Sequence, residues 1–158
     1  MRVLAIDPAT RCGWAWSDGY SIEYGHWNLK HKNPGHELLQ LFTELGNLGA
    51  VYGVDVITFE RPIPVRGMAT TQKHSEKIAI LKLFAAMNGV TIHGGFVATS
   101  IKKHATGNGR AEKEDMIAAC RAIGLDPKTD DEADAIWILK AYQSGYQSAK
   151  KTRKKKAK

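Results

Sequence analysis

The chain has 158 residues, 43% of them hydrophobic and 25% charged, with 15 glycines, 5 prolines and 2 cysteines. That composition excludes collagen-like, disordered and disulfide-scaffold classes, and no apolar run approaches the roughly 18 residues that a membrane-spanning helix requires. The formal net charge of +7 is concentrated at one end: residues 149–158 carry seven Lys or Arg and no acid, whereas the remainder has 16 basic and 16 acidic residues.

In chain order, residues 2–6 (RVLAI) read as a strand halted by Asp7-Pro8, since proline cannot continue a ladder. Two short aromatic strands follow, 13–16 (GWAW) and 21–27 (SIEYGHW), joined by the turn signal Ser17-Asp18-Gly19, which together predict an antiparallel meander. Leu38, Leu41, Phe42, Leu45 and Leu48 recur every three or four residues and predict a helix over 36–48, with Gly46 and Gly49 loosening its end. The β-branched run 54–59 (VDVITF) predicts a fourth strand, and 62–72 a Pro/Gly-bearing loop. Ile78, Leu81, Phe84 and Ala85 mark a helix ending at Asn88-Gly89, followed by a fifth strand over 90–97 broken at Gly94-Gly95. Thr99-Ser100 is expected to cap a helical turn through Lys103, which residues 106–109 break. Further helices are expected over 111–123 and from about 131 to 142. The pattern is a mixed α/β sheet in one domain, residues 1–148. Residues 149–158 are too polar and self-repelling to fold and are expected to form a disordered basic tail.

Acids stand where an α/β sheet builds its site, at the carboxyl ends of strands. Asp7 ends the first strand and Glu60 ends the fourth. Asp131 and Asp134, three apart at the start of the last helix, share a face. Singly, each acid suits a turn or a cap, and Asp130 is itself a candidate helix cap. Glu60 has no local capping role. Four hard oxygen donors are what a pair of Mg²⁺ or Mn²⁺ ions requires. Such ions activate water for attack on phosphorus, which agrees with the lack of a nucleophilic triad pattern.

A basic segment, Lys102-Lys103 through Gly107-Asn108-Gly109-Arg110 to Lys113, feeds the start of a helix and suits an anion through Lys102, Lys103, Arg110 and Lys113. In the loop after Glu60, Ile63, Val65, Arg66 and Met68 are candidates either for insertion between bases or for a dimer contact. In the tail, Lys150, Lys151, Arg153, Lys154, Lys155 and Lys156 suit phosphate backbones, with a solubility or localisation role as the alternative. None of the six histidines pairs at metal spacing, and Trp14, Trp16 and Trp27 suit core packing of the meander. Cys12 and Cys120 have no metal or disulfide pattern, which suits a reducing cytoplasmic compartment.

Taken in order, Ala5-Ile6-Asp7-Pro8-Ala9-Thr10, Ile57-Thr58-Phe59-Glu60, Gly107-Asn108-Gly109-Arg110-Ala111-Glu112-Lys113 and Asp131-Glu132-Ala133-Asp134-Ala135 give the chain a resemblance to the RuvC-type Holliday-junction resolvases, RNase H-like nucleases, over residues 1–145. The resemblance implies a mixed five-stranded RNase H-like sheet with helices on both faces. It also implies a metal-binding catalytic set of Asp7, Glu60, Asp131 and Asp134, with Lys102 and Lys113 as active-site lysines. The partners it implies are four-way (Holliday) or other branched DNA and a second copy of the chain, forming a homodimer that cuts two opposed strands. No membrane partner is expected, and the setting is a bacterial or phage-infected cell. Ala9 stands where the family's first motif has glycine, Arg61-Pro62-Ile63-Pro64 lacks the phenylalanine common after the glutamate, and the basic tail is extra. A phage-type relative acting on several branched DNAs fits these departures. The rival readings are a nuclease of RNA or DNA–RNA hybrids and a non-catalytic branched-DNA-binding protein.

Overall fold

The computed structural model describes residues 1–62 and 68–146. Arg66, the side chain of Met68 and the tail residues from Lys150 to Lys156 lie outside what it describes.

Strands β1 (Val3–Asp7), β2 (Arg11–Ser17) and β3 (Ile22–Asn28) form the expected meander. Asp18 makes the β2–β3 turn by accepting at Oδ1 from the amides of Tyr20 (2.8 Å) and Ser21 (2.9 Å), with Gly19 at φ +104°. Helix α1 (Pro34–Tyr52) then crosses to β4 (Val56–Arg61), which lies parallel to β1. Helix α2 (Met68–Asn88) leads to two short strands, β5 (Thr91–Ile92) and β6 (Phe96–Val97), both parallel to β4. Helices α3 (Ala98–Thr106), α4 (Lys113–Ala122) and α5 (Asp130–Gln143) complete the order. The sheet runs β3-β2-β1-β4-β5, with β6 joined to the far end of β4.

Alternation along the strands splits the interior in two. Leu4 and Ile6 of β1 and Ile57 and Phe59 of β4 face Leu41 and Leu45 of α1 and Leu81 and Phe84 of α2. Val3, Ala5 and Val56 face the other way, against Ile101 of α3, Met116 of α4 and Ile136 of α5. Helices therefore cover both faces. Each fully buried Leu or Ile contributes about 1.5–3 kcal/mol.

Several boundaries differ from the sequence expectation for local reasons. Helix α1 begins at Pro34 because Asn33 caps it, its side chain accepting from the Gly35 amide at 2.8 Å. The helix continues through Gly46 and Gly49 to Gly53 (φ +69°). Gly49 faces the Phe84 ring, which an added Cβ would meet at 3.5 Å, so it is a packing site and not a breaker. Residues 68–72, expected in the loop, form the first turn of α2, since the last Pro or Gly before them is Gly67. The fifth strand is two, β5 and β6, separated at Gly94-Gly95.

Candidate active site

Asp7 and Glu60 are brought level by strand register. Val3 pairs with Val56, Ala5 with Thr58 and Ile6 with Phe59, so one further step sets Asp7 beside Glu60. Both fall on the parity of Val3, Ala5 and Val56, the face covered by α5. Asp7 is only 7% exposed. Burial raises its carboxyl pKa well above the usual range, and the charges of Glu60, Asp134 and Asp131 push it the same way.

Helix α5 delivers the other two acids. Its N-cap is Thr129, whose Oγ1 accepts from the Glu132 amide at 3.2 Å, so Asp130 is the first helical residue and not the cap. Gly13, opposite Asp7 on β2, lets the helix come close: a Cβ there would lie 2.0 Å from the Asp131 carbonyl oxygen. A glycine inside a strand marks such an approach. Asp134 lies one turn further on, where burial raises its pKa to about 6 against the opposing charge of Lys102. Glu132, between them, is committed elsewhere: its carboxylate meets His26 Nδ1 at 2.8 Å and accepts from the Lys128 amide at 2.6 Å.

Basic side chains rim these acids. Arg11 bridges α5 from β2, its Nη2 2.9 Å from Asp130 Oδ1 and its Nε bonded to Asp131. Lys113, at the start of α4, forms an ion pair with the other oxygen of Asp130. Lys102 donates to the Ala111 carbonyl at 2.6 Å, and Lys103 and Arg110 are exposed. In the first turn of α4, the amides of Glu112 and Asp115 are taken up by side chains. Glu112 and Asp115 form a capping box, with Asp115 accepting from the Glu112 amide at 2.9 Å. Any anion here would meet the side chains of Lys102, Arg110 and Lys113.

The structure thus brings Asp7, Glu60, Asp131 and Asp134 into one electrostatic neighbourhood with Lys102 and Lys113 at its edge. Arg11 and Gly13 escaped the sequence reading. Arg11 opens an ordinary strand, and only the glycine inside GWAW signalled the close approach of another element. The donor set, carboxylates without thiolate or imidazole, fits a hard divalent cation. Among the described residues no three His, Cys, Asp or Glu side chains already stand at metal-ligand spacing, and Asp130 and Asp131 are engaged by Arg11 and Lys113. Loading an ion at these acids would therefore exchange ion pairs within the protein for coordination.

No family model matches the chain. Among curated proteins, the crossover junction endodeoxyribonuclease RuvC of Corynebacterium diphtheriae is 33% identical over 146 residues, covering 84% of this chain and 88% of that protein. The chain belongs to the RuvC family. The RuvC of Caldicellulosiruptor saccharolyticus is 30% identical over 149 residues, covering 87% of this chain and 89% of the relative. That of Corynebacterium glutamicum is 32% identical over 150 residues, and there the match spans 66%, just under two thirds, of the relative. Thermus thermophilus RuvC in complex with Holliday junction substrate has a TM-score of 0.74 at 19% identity, covering 92% of this chain and 97% of that one. The yeast mitochondrial Holliday junction resolvase has a TM-score of 0.58 at 15% identity. These likenesses establish for this RuvC-family chain the RNase H-like mixed sheet with helices on both faces. Among the described residues no helix is long and apolar enough to cross a membrane.

Proposed function

We propose that this RuvC-family chain is a metal-dependent endodeoxyribonuclease that resolves four-way DNA junctions, and other branched DNAs, by paired strand cleavage as a homodimer. The observation that carries the proposal is the rung shared by Asp7 and Glu60 beneath the first turns of α5, where burial and the charges of Glu60, Asp134 and Asp131 together raise the Asp7 carboxyl pKa. The names of its curated relatives, crossover junction endodeoxyribonucleases, support the same activity.

In this reading Asp7, Glu60, Asp131 and Asp134 hold two Mg²⁺ or Mn²⁺ ions. Such ions, when bound, supply an activated water and stabilise the leaving oxygen. The chain itself fixes the carboxylates: β1 and β4 set the first two by register, and Gly13 and the Thr129 cap set the helix bearing the others. Lys102 and Lys113 stand at the rim, where an ammonium can hold a phosphate oxygen against the acids. Lys103 and Arg110 would grip the strand beyond, with Arg66, Met68 and the basic tail as further DNA contacts. A four-way junction offers two opposed strands, which a two-fold pair of subunits matches by symmetry. The setting is the cytoplasm of a bacterial or phage-infected cell.

The test is incubation of the full chain with end-labelled four-way, three-way, flap and linear DNA and a DNA–RNA hybrid, with and without Mg²⁺. Metal-dependent, symmetric nicks in the four-way junction are expected. Cutting confined to the hybrid would make the chain a hybrid nuclease. Junction binding without cutting in Mg²⁺ or Mn²⁺ would make it a non-catalytic binder.

A further inference from the structure

Beside the turn that leaves Asp7, on the α2 side of the sheet, lies a cavity of about 400 Å³ lined by Ala9, Thr10, Thr70, Lys73, His74 and Lys77. Lys77 is 1% exposed, an unusual position for a lysine. Among the described residues its ammonium has one bonding partner, the Ala9 carbonyl oxygen at 2.9 Å, and no carboxylate bonds it. The charges of Glu37 and Asp7 reach it from a distance, while Lys73, one helical turn earlier, repels it. A buried ammonium satisfied by a single neutral acceptor, with a like charge beside it, is costly. An anion in the cavity would relieve both penalties, taking hydrogen bonds from the two ammonium groups and from the hydroxyls of Thr10 and Thr70. The acids around Asp7 favour cations, and this cavity, two residues further along the chain, favours the opposite sign.

We propose that the cavity binds one backbone phosphate of the DNA strand, adjacent to the linkage presented to Asp7 and Glu60. This site rests on the nuclease reading and deepens it. A strand whose cleaved linkage lies at the acids and whose neighbouring phosphate lies on Lys73 and Lys77 is held in one register along its own length. None of the residues lining the cavity belongs to the acidic centre, so they select position while the carboxylates perform the chemistry.

A charge-neutral methylphosphonate, moved one linkage at a time through the strand around the cut, tests this with full-length wild-type chain and with Lys73→Ala. Lys73 is exposed on α2, and thermal melting confirms that the variant folds. Binding to the four-way junction is measured in Ca²⁺. In the wild type, neutralising one particular linkage beside the cut should weaken binding about tenfold, in keeping with the loss of a charge-assisted hydrogen bond. Lys73→Ala should bind about tenfold more weakly and be indifferent to that one linkage. If the variant stays as sensitive as the wild type at every linkage, or merely weakens all substrates by a constant factor, the site is wrong and the nuclease reading stands. If the wild type neither binds nor cuts the junction, the nuclease reading falls and the site falls with it.

Discussion

The Asp131 carbonyl oxygen occupies the space a side chain at Gly13 would need, 2.0 Å from where its β-carbon would stand. Backbone on both sides of the contact leaves nothing flexible to yield. Gly13→Ala should therefore lift the start of α5 away from Asp7, costing about 1–3 kcal/mol of stability. Junction cleavage should fall at least tenfold even below the lowered melting temperature. Unchanged melting and cleavage would mean that α5 is not seated on this strand.

Asp7→Asn and Glu60→Gln are each expected to abolish junction cleavage while leaving junction binding in Ca²⁺ within a few-fold of wild type. Gel-shift and cleavage assays on one preparation separate the two effects. Full cleavage by either variant removes that residue from the site.

Burial raises Asp134 from the ordinary 3.8 to about 6. The native chain then binds this proton more tightly than the unfolded chain does. Stability from this group is complete below about pH 4 and declines as the pH rises toward 6, by roughly 2 kcal/mol. Asp7 shifts in the same direction and extends the decline to higher pH. Urea unfolding of metal-free protein between pH 4 and 7 should show a shallower decline in Asp134→Asn than in the wild type. Identical slopes would contradict a buried, ionising Asp134.

Arg11 holds both Asp130 and Asp131, and a divalent ion at the carboxylates must compete with it. Removing a positive charge from the edge of a cation site raises cation affinity, so Arg11→Ala should bind Mn²⁺ about threefold to tenfold more tightly by calorimetry. Cleavage should nonetheless drop, because Asp131 loses the group that orients it. Weaker Mn²⁺ binding would show that Arg11 organises the ligands more than it opposes the ion.

Deleting residues 149–158 removes seven cations. Binding to junction and linear DNA alike should weaken, and the slope of log affinity against log salt should flatten by at most roughly six. An unchanged slope would assign the tail a role other than DNA contact.

Much of this centre is legible in the sequence because its acids sit at element ends that short-range periodicity can find. An acid closing an apolar run (Asp7, Glu60) and two acids three apart opening a helix (Asp131, Asp134) both follow from local geometry. What escapes is set by partners far along the chain. The pairing of Arg11 with acids about 120 residues away, the seating of α5 on Gly13 and the burial of Lys77 against Ala9 depend on which surfaces meet. Local signals also compete: Asp130 and Thr129 are both good caps, and Thr129 takes the position, which frees Asp130 for Lys113.

The pleat of β1 and β4 ties chemistry to correct assembly. A slip of one residue in either strand would turn its carboxylate toward the oily layer beneath α1 and α2 and put Ile6 or Phe59 in its place. A wrongly zipped chain is thus inert. If the chain cuts DNA as proposed, failing silent is the safer fault.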